Sequence, residues 1–111
     1  MAALTPLSAA EVSTRIKAGK AVLVDIREPD EVAQERIAGS VVKSLSAFDA
    51  ADLEHGPDQD VIYMCRSGAR TGMNCVRLAS RVPGEAFVLE GGLNAWKAEG
   101  LPTVSGSGRA V

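Results

Sequence analysis

Four short apolar runs set the rhythm of the chain: Ala21-Val22-Leu23-Val24, Val41-Val42, Val61-Ile62-Tyr63-Met64 and Ala86-Phe87-Val88-Leu89. Turn-forming or charged residues bound them and each is too short for a buried helix, so each reads as a strand. Their unbroken apolar character covers both faces, as in a parallel sheet packed under helices. Between the runs the period lengthens. Ser8 caps a helix predicted over 9–18, with Glu11 completing a capping box and Gly19 ending it. Glu28-Pro29-Asp30-Glu31 opens a second, short helix that ends near Arg36, because proline and acids suit a first helical turn. Gly39 turns the chain into Val41, Ser46 or Asp49 caps a short helix through Glu54, and Gly56-Pro57-Asp58 is a turn. A helix over 72–81 and one over 93–99 complete the series, the last opened by Gly91-Gly92 and stopped by Gly100 and Pro102. The alternation predicts a small α/β domain: a mainly parallel central sheet flanked by helices on both faces. The chain divides into a folded domain over 1–104 and a small, polar, flexible tail over 105–111.

At 111 residues the chain is one domain, able to build a core without disulfides or a structural metal. A net charge of −2 and a pI near 5.3, with no basic stripe, argue against a nucleic-acid partner. The longest apolar runs are four or five residues, so no membrane span is expected. The N-terminal Met-Ala-Ala-Leu-Thr-Pro lacks the basic and long apolar regions of a secretory signal, and a cytoplasmic protein with reduced thiols is the economical reading. Two cysteines are too few for a disulfide framework. His and Cys show no metal-ligand spacing, so neither metal nor cofactor is expected.

Candidate chemistry concentrates in Cys65-Arg66-Ser67-Gly68-Ala69-Arg70-Thr71. Cys65 falls where a buried strand ends and a helix begins, at the carboxyl edge where parallel sheets carry their sites. Unpaired backbone N–H groups, a helix dipole and two arginines there favour a thiolate. Gly68, with the small residues Ser67 and Ala69, lets the loop curl into a nest of N–H groups for an anion. The segment proposes an anionic nucleophile, Cys65, working on an anionic substrate bound by Arg66, Ser67, Gly68, Ala69, Arg70 and Thr71.

Other conspicuous residues have plainer readings. Cys75 shares a helical face with Leu78, Ala79 and Val82, which points to core packing and not to a thiol partner for Cys65. His55 beside a Gly-Pro turn is a solvated loop residue, and Trp96 packs its helix on the sheet. Asp25 and Arg27 form a structural ion pair or loop brace. Gly91-Gly92 serves either an anion or tight packing.

Three motifs in order make the chain resemble a single-domain rhodanese, over roughly residues 4–104. Val24-Asp25-Ile26-Arg27-Glu28-Pro29-Asp30-Glu31 resembles the segment after that family's first central strand. Cys65 to Thr71 matches its active loop, Cys-Arg-x-Gly-x-Arg-Ser/Thr, and Glu90-Gly91-Gly92-Leu93-Asn94-Ala95-Trp96 resembles its C-terminal signature. Gly100-Leu101-Pro102-Thr103-Val104 resembles its usual closing. One departure is Arg36-Ile37-Ala38-Gly39-Ser40, where the family commonly has His-Ile-Pro-Gly-Ala; it falls at a local turn and at the rim of the site, outside the loop that would carry the chemistry.

The resemblance implies a thiosulfate sulfurtransferase. Cys65 would take the outer sulfur of thiosulfate or a similar anionic donor and hold it as a persulfide. The acceptor would be cyanide, a thiol or a protein. Acidifying the thiol alone is a weak device: lowering its pKa from about 8.5 to about 6.5 gives only about a threefold net gain at pH 7, after the loss of intrinsic nucleophilicity. Donor binding by Arg66 and Arg70 and persulfide stabilisation by the nest must supply more. Two alternatives stand beside this reading. A phosphatase or arsenate reductase on the same fold would carry one more residue between cysteine and arginine than the four present here. A non-catalytic interaction module would need neither the cysteine nor the arginines.

Overall fold

Alternation along the strands sorts the core into two layers. In β4 (Asp60–Met64), Ile62 and Met64 point to one face, while Val61 and Tyr63 point to the other together with Cys65 just beyond the strand. The structure, a computed structural model, describes residues 4–50 and 52–106. Among them, β1 (Leu4–Leu7), β2 (Ala21–Asp25), β3 (Val41–Val42), β4 and β5 (Ala86–Leu89) form one parallel sheet in the order β1-β5-β4-β2-β3. Helices α1 (Ala9–Lys17) and α5 (Gly92–Ala98) cover one face, where Val12, Leu93 and Trp96 are buried against Leu23, Ile62 and Phe87. The other face lies under a 3-10 helix (Leu45–Ala50) and α4 (Cys75–Ala79), which bury Phe48, Leu78 and Ala79 against Val24 and Tyr63. Burying a side chain of this kind contributes about 1.5–3 kcal/mol, so both layers are needed to offset the entropy of folding. The fold is the expected small α/β domain.

The predicted caps are formed. Ser8 Oγ accepts the Glu11 N–H at 3.2 Å and Glu11 returns the capping-box contact to the Ser8 N–H. Helix α2 (Pro29–Gln34) carries Pro29 in its first turn, as expected. Three elements differ from the sequence expectation. β1 was not foreseen: it is four residues with Pro6 inside, tolerated because β1 is an edge strand with one neighbour. The helix expected through Glu54 is only the 3-10 turn, kinked at Ala47, and the described residues 52–55 are irregular.

The third difference matters most for the site. In place of one helix over 72–81, the chain forms α3 (Ala69–Met73), a break at Asn74, and α4. The break is at Asn74, whose φ of −115 leaves the helical range and whose Nδ2 donates to the Arg70 carbonyl at 2.8 Å beside the ordinary helical bond from its backbone N–H. The helix therefore begins inside the cysteine loop. Of the tail expected over 105–111, residues 107–111 lie outside the described residues; Gly106 N–H donates to the Ala33 carbonyl at 3.0 Å.

Candidate active site

Cys65 is 1% exposed at the carboxyl end of the central strand, and its sulfur is enclosed by its own loop. Gly68 adopts φ +96, a conformation side chains resist, and this folds the chain so that the Gly68 N–H donates to Sγ at 3.1 Å. The Thr71 hydroxyl lies 3.7 Å from Sγ and donates to the Gly68 carbonyl at 3.0 Å. Burial pushes the Cys65 thiol up. The Thr71 N–H and hydroxyl and the N–H groups of Gly68 and Arg70 outweigh it and hold the thiol below its ordinary value. These amides are free to face sulfur because they open α3 and have no partner within the helix. A thiol so placed is biased toward the anion.

The loop is held from behind by the start of α5. Leu93 and Asn94 donate their N–H groups to the carbonyls of Cys65 and Arg66, both at 2.9 Å. A Cβ on Gly92 would lie 2.3 Å from the Cys65 oxygen, so only glycine lets the two backbones meet. Of the two readings for Gly91-Gly92, the structure shows tight packing.

On its β2 side the loop meets Glu31, the last residue of the Val24-to-Glu31 segment and an acid of the first turn of α2. Arg70 donates both Nη atoms to the Glu31 carboxylate, at 2.7 and 2.9 Å, and Arg66 Nε stands 3.9 Å from it. The Arg70 hydrogen bonds hold Glu31 at a pKa of about 2, against a smaller opposing push from burial. Glu31 also accepts the Glu28 N–H at 3.2 Å, so one carboxylate ties the loop to the first turn of α2. No spacing signal pointed to this pairing, because the partners lie 39 positions apart.

On its β5 side the loop borders a cavity of about 350 Å³, walled by Ser67, Gly68 and Thr71 and by Leu4, Pro6 and Val88 across from them. Cys75 lines this cavity as well. It is half-buried and belongs to neither core layer, although Leu78 and Ala79 do. This corrects the core-packing expectation: Leu78 and Ala79 of the same α4 face are buried, but Cys75 is the first residue of that helix and its end of the face runs out onto the cavity.

The remaining candidates are structural in the described residues. Asp25 and Arg27 are fully buried and paired through Arg27 Nε and Nη2, the latter at 2.8 Å, and Nη2 also donates to the Glu35 carbonyl at 2.8 Å. Arg36, at the family departure, donates to both the carbonyl and the hydroxyl of Ser40 and pairs its backbone with Val104. The guanidinium thereby holds the turn. His55 is exposed and contacts the Gly56 carbonyl, and Trp96 is buried with its Nε1 donating to the Pro102 carbonyl at 2.8 Å. Among the described residues no group of His, Cys, Asp and Glu is arranged to hold a metal, and no helix is long and apolar enough to cross a membrane.

The rhodanese-like domain family matches residues 8–99, which include the cysteine loop and the α5 start that backs it. The chain belongs to the rhodanese-like family. Within it, the chain is 38% identical over 87 residues to a sulfurtransferase of Allochromatium vinosum, covering 78% of this chain and 81% of that one. A rhodanese-related protein from Thermoplasma volcanium superposes with TM-score 0.75 at 27% identity, over 90% of this chain and 97% of that one. A thiosulfate sulfurtransferase from Pseudomonas aeruginosa gives TM-score 0.80 at 22% identity, over 96% of this chain and 20% of that much longer one. At that identity the likeness is one of fold. The family match and the 38%-identical relative place the chain in the rhodanese/sulfurtransferase superfamily.

Proposed function

We propose that the protein transfers sulfane sulfur from thiosulfate, or a similar anionic donor, through a Cys65 persulfide to a thiophilic acceptor such as cyanide or a thiol. The observation that carries the reading is the seat of Sγ: a buried sulfur accepting an N–H at 3.1 Å in a ring of helix-opening amides. Such a ring suits every charged species of the cycle, the thiolate before attack and the persulfide anion after it. In the first step the Cys65 thiolate bonds to the outer sulfur of thiosulfate as the S–S bond breaks, and sulfite leaves with the electron pair. In the second, the acceptor bonds to that sulfur and the pair returns to Sγ. Arg66, with its side chain half exposed, is free to meet the donor's sulfonate end, and Arg70 sets the loop's charge from its seat on Glu31. Both cysteines are free thiols in the structure, and we place the chemistry in the cytoplasm, where thiols stay reduced.

Intact-mass analysis after mixing with thiosulfate tests the reading. One added sulfur atom is expected on the wild type, removable by cyanide and absent from Cys65→Ser. Loading of Cys65→Ser, or no loading of the wild type, overturns it. The same preparation should hydrolyse aryl phosphates negligibly, because a loop with four residues between Cys65 and Arg70 is short for a tetrahedral phosphate.

A further inference from the structure

We propose that the cavity on the β5 side of the loop receives the acceptor, and that the acceptor is a small thiol with an apolar body and no negative charge apart from its reacting sulfur. The proposal rests on the sulfurtransferase reading and deepens it. The cavity wall includes Gly68 and Thr71, the same two residues that hold Sγ. Cys65 itself is buried behind them and is not on the wall, so what an acceptor seated here must reach is the outer sulfur of the persulfide, one bond beyond Sγ. The volume, about 350 Å³, falls at the small end of the size range of small-molecule sites.

Charge decides which partner fits. Both loop arginines face Glu31 on the α2 side, and neither lines the cavity. Among its described lining residues the single charged side chain is acidic, Glu90, and the opposite wall is Leu4, Pro6 and Val88. A sulfonate-bearing donor gains nothing there and is repelled. A neutral or cationic thiol buries its carbon skeleton on those walls. In the transfer, the acceptor thiol gives its proton to solvent and its sulfur bonds to the outer sulfur of the persulfide. The Sγ–S bond breaks, its electron pair returns to Cys65, and the acceptor leaves as its own persulfide. No external oxidant or reductant is consumed.

Gly72 offers a clean test, because it lines the cavity and a Cβ built on it meets nothing within 4 Å. Its φ is ordinary for a side chain, so Gly72→Phe fills the space without straining the backbone. Wild type and variants are loaded with thiosulfate and desalted. Discharge by benzyl mercaptan, 3-mercaptopropionate, cysteamine and cyanide is then followed in single turnovers, with the thiols compared at equal thiolate concentration. In the wild type, benzyl mercaptan should outpace 3-mercaptopropionate by about tenfold, the low end of what a single buried methylene is worth in an apolar pocket. Gly72→Phe should remove that advantage while thiosulfate loading and cyanide discharge stay within about twofold. Glu90→Lys should speed 3-mercaptopropionate and slow cysteamine, each by about fivefold, as an exposed charge pair allows.

Benzyl mercaptan discharge unchanged in Gly72→Phe, or a wild type that prefers 3-mercaptopropionate, overturns the acceptor site and leaves the loading reaction standing. A wild type that takes no sulfur overturns the sulfurtransferase reading and this site with it. If Gly72→Phe fails to load, the smaller Gly72→Leu carries the same test.

Discussion

The two flanks of the cysteine loop are built on opposite principles. Toward α2 the loop is charged and tied: Glu31 takes both Nη atoms of Arg70 and stands close to Arg66. Toward β1 and β5 it is open and apolar, with space where the other side has ion pairs. The sulfur sits between them, held by amides and touched by neither charge directly. A reaction that exchanges an anionic partner for a thiophilic one gains from such a division, because each partner finds its own electrostatic surface next to the same atom. A site equally charged on both sides would bind sulfite and other leaving anions as readily on the acceptor side as on the donor side.

The largest effect should come from removing the support the two flanks share. Gly92→Ala places a methyl group 2.3 Å from the Cys65 carbonyl and forces alanine into φ +58. Relief requires the loop to separate from α5, which breaks the hydrogen bonds from Leu93 and Asn94. We expect a loss of about 2–4 kcal/mol of stability and of nearly all sulfur loading, from left-handed strain and a displaced backbone together. Denaturant unfolding and intact-mass analysis measure the two. A stable, fully loading Gly92→Ala would mean that the amide ring holds its shape without α5.

The charged flank comes next. Arg70→Ala removes a cation and leaves Glu31 with only Arg66, at 3.9 Å, to offset its charge. The Glu31 pKa then returns from about 2 toward the ordinary 4.5, so it stays ionised at neutral pH and repels an anion. Losing the positive charge that Arg70 gives the loop, on the scale of a charge-assisted interaction of about 1.5–3 kcal/mol, lowers kcat/KM for thiosulfate roughly 10- to 150-fold. The double variant Arg70→Ala/Glu31→Gln should recover part of that loss. Discharge to a neutral thiol should change little in either variant. If the double variant is no better than Arg70→Ala, the harm lies in lost positioning and not in the bare carboxylate.

The same pair has a stability signature with a defined sign. Glu31 titrates near 2 when folded, below its ordinary 4.5, so its ion pair stabilises the fold fully above pH 4.5. That contribution fades as pH falls from 4.5 through 2. It is worth about 2 kcal/mol or less once solvent screening of these partly exposed groups is allowed for. Wild type minus Glu31→Gln stability, measured from pH 7 down to 2, should shrink over that window. A difference that stays constant would disconnect the fold from the pair.

What the sequence made legible follows the reach of each interaction. The Ser8 cap, the Pro29 first turn, the Gly68 curl and the amides around Cys65 are settled within a few residues, and they were readable. So was the covered parallel sheet, because burial on both faces leaves its mark on composition. The Glu31–Arg70 pair was not readable: it joins two helix starts that only the strand order brings together. β1 was hidden for a related reason, since a four-residue edge strand with a proline carries little pattern of its own. The break between α3 and α4 falls at Asn74, a residue able to satisfy the Arg70 carbonyl with its side chain, but apolar periodicity passes over such a residue.

The smallest effect concerns Cys75, the first residue of α4 after this break. Were Cys75 a core side chain, Cys75→Ala would cost on the order of 1 kcal/mol. Half-buried on the wall of the open flank, it should cost less, about 0.5 kcal/mol or below, because the lost sulfur leaves solvent-accessible space and no sealed cavity. Sulfur loading and cyanide discharge should be unaltered, since Cys75 is not among the groups that hold Sγ. The apolar flank is the sensitive place: a slightly larger cavity should weaken a small thiol such as cysteamine more than benzyl mercaptan, whose ring can fill the added space. Unfolding curves and the single-turnover series measure both effects. Loss of cyanide discharge in Cys75→Ala would make its thiol a participant in sulfur transfer, and the two flanks would no longer be separable into a donor side and an acceptor side.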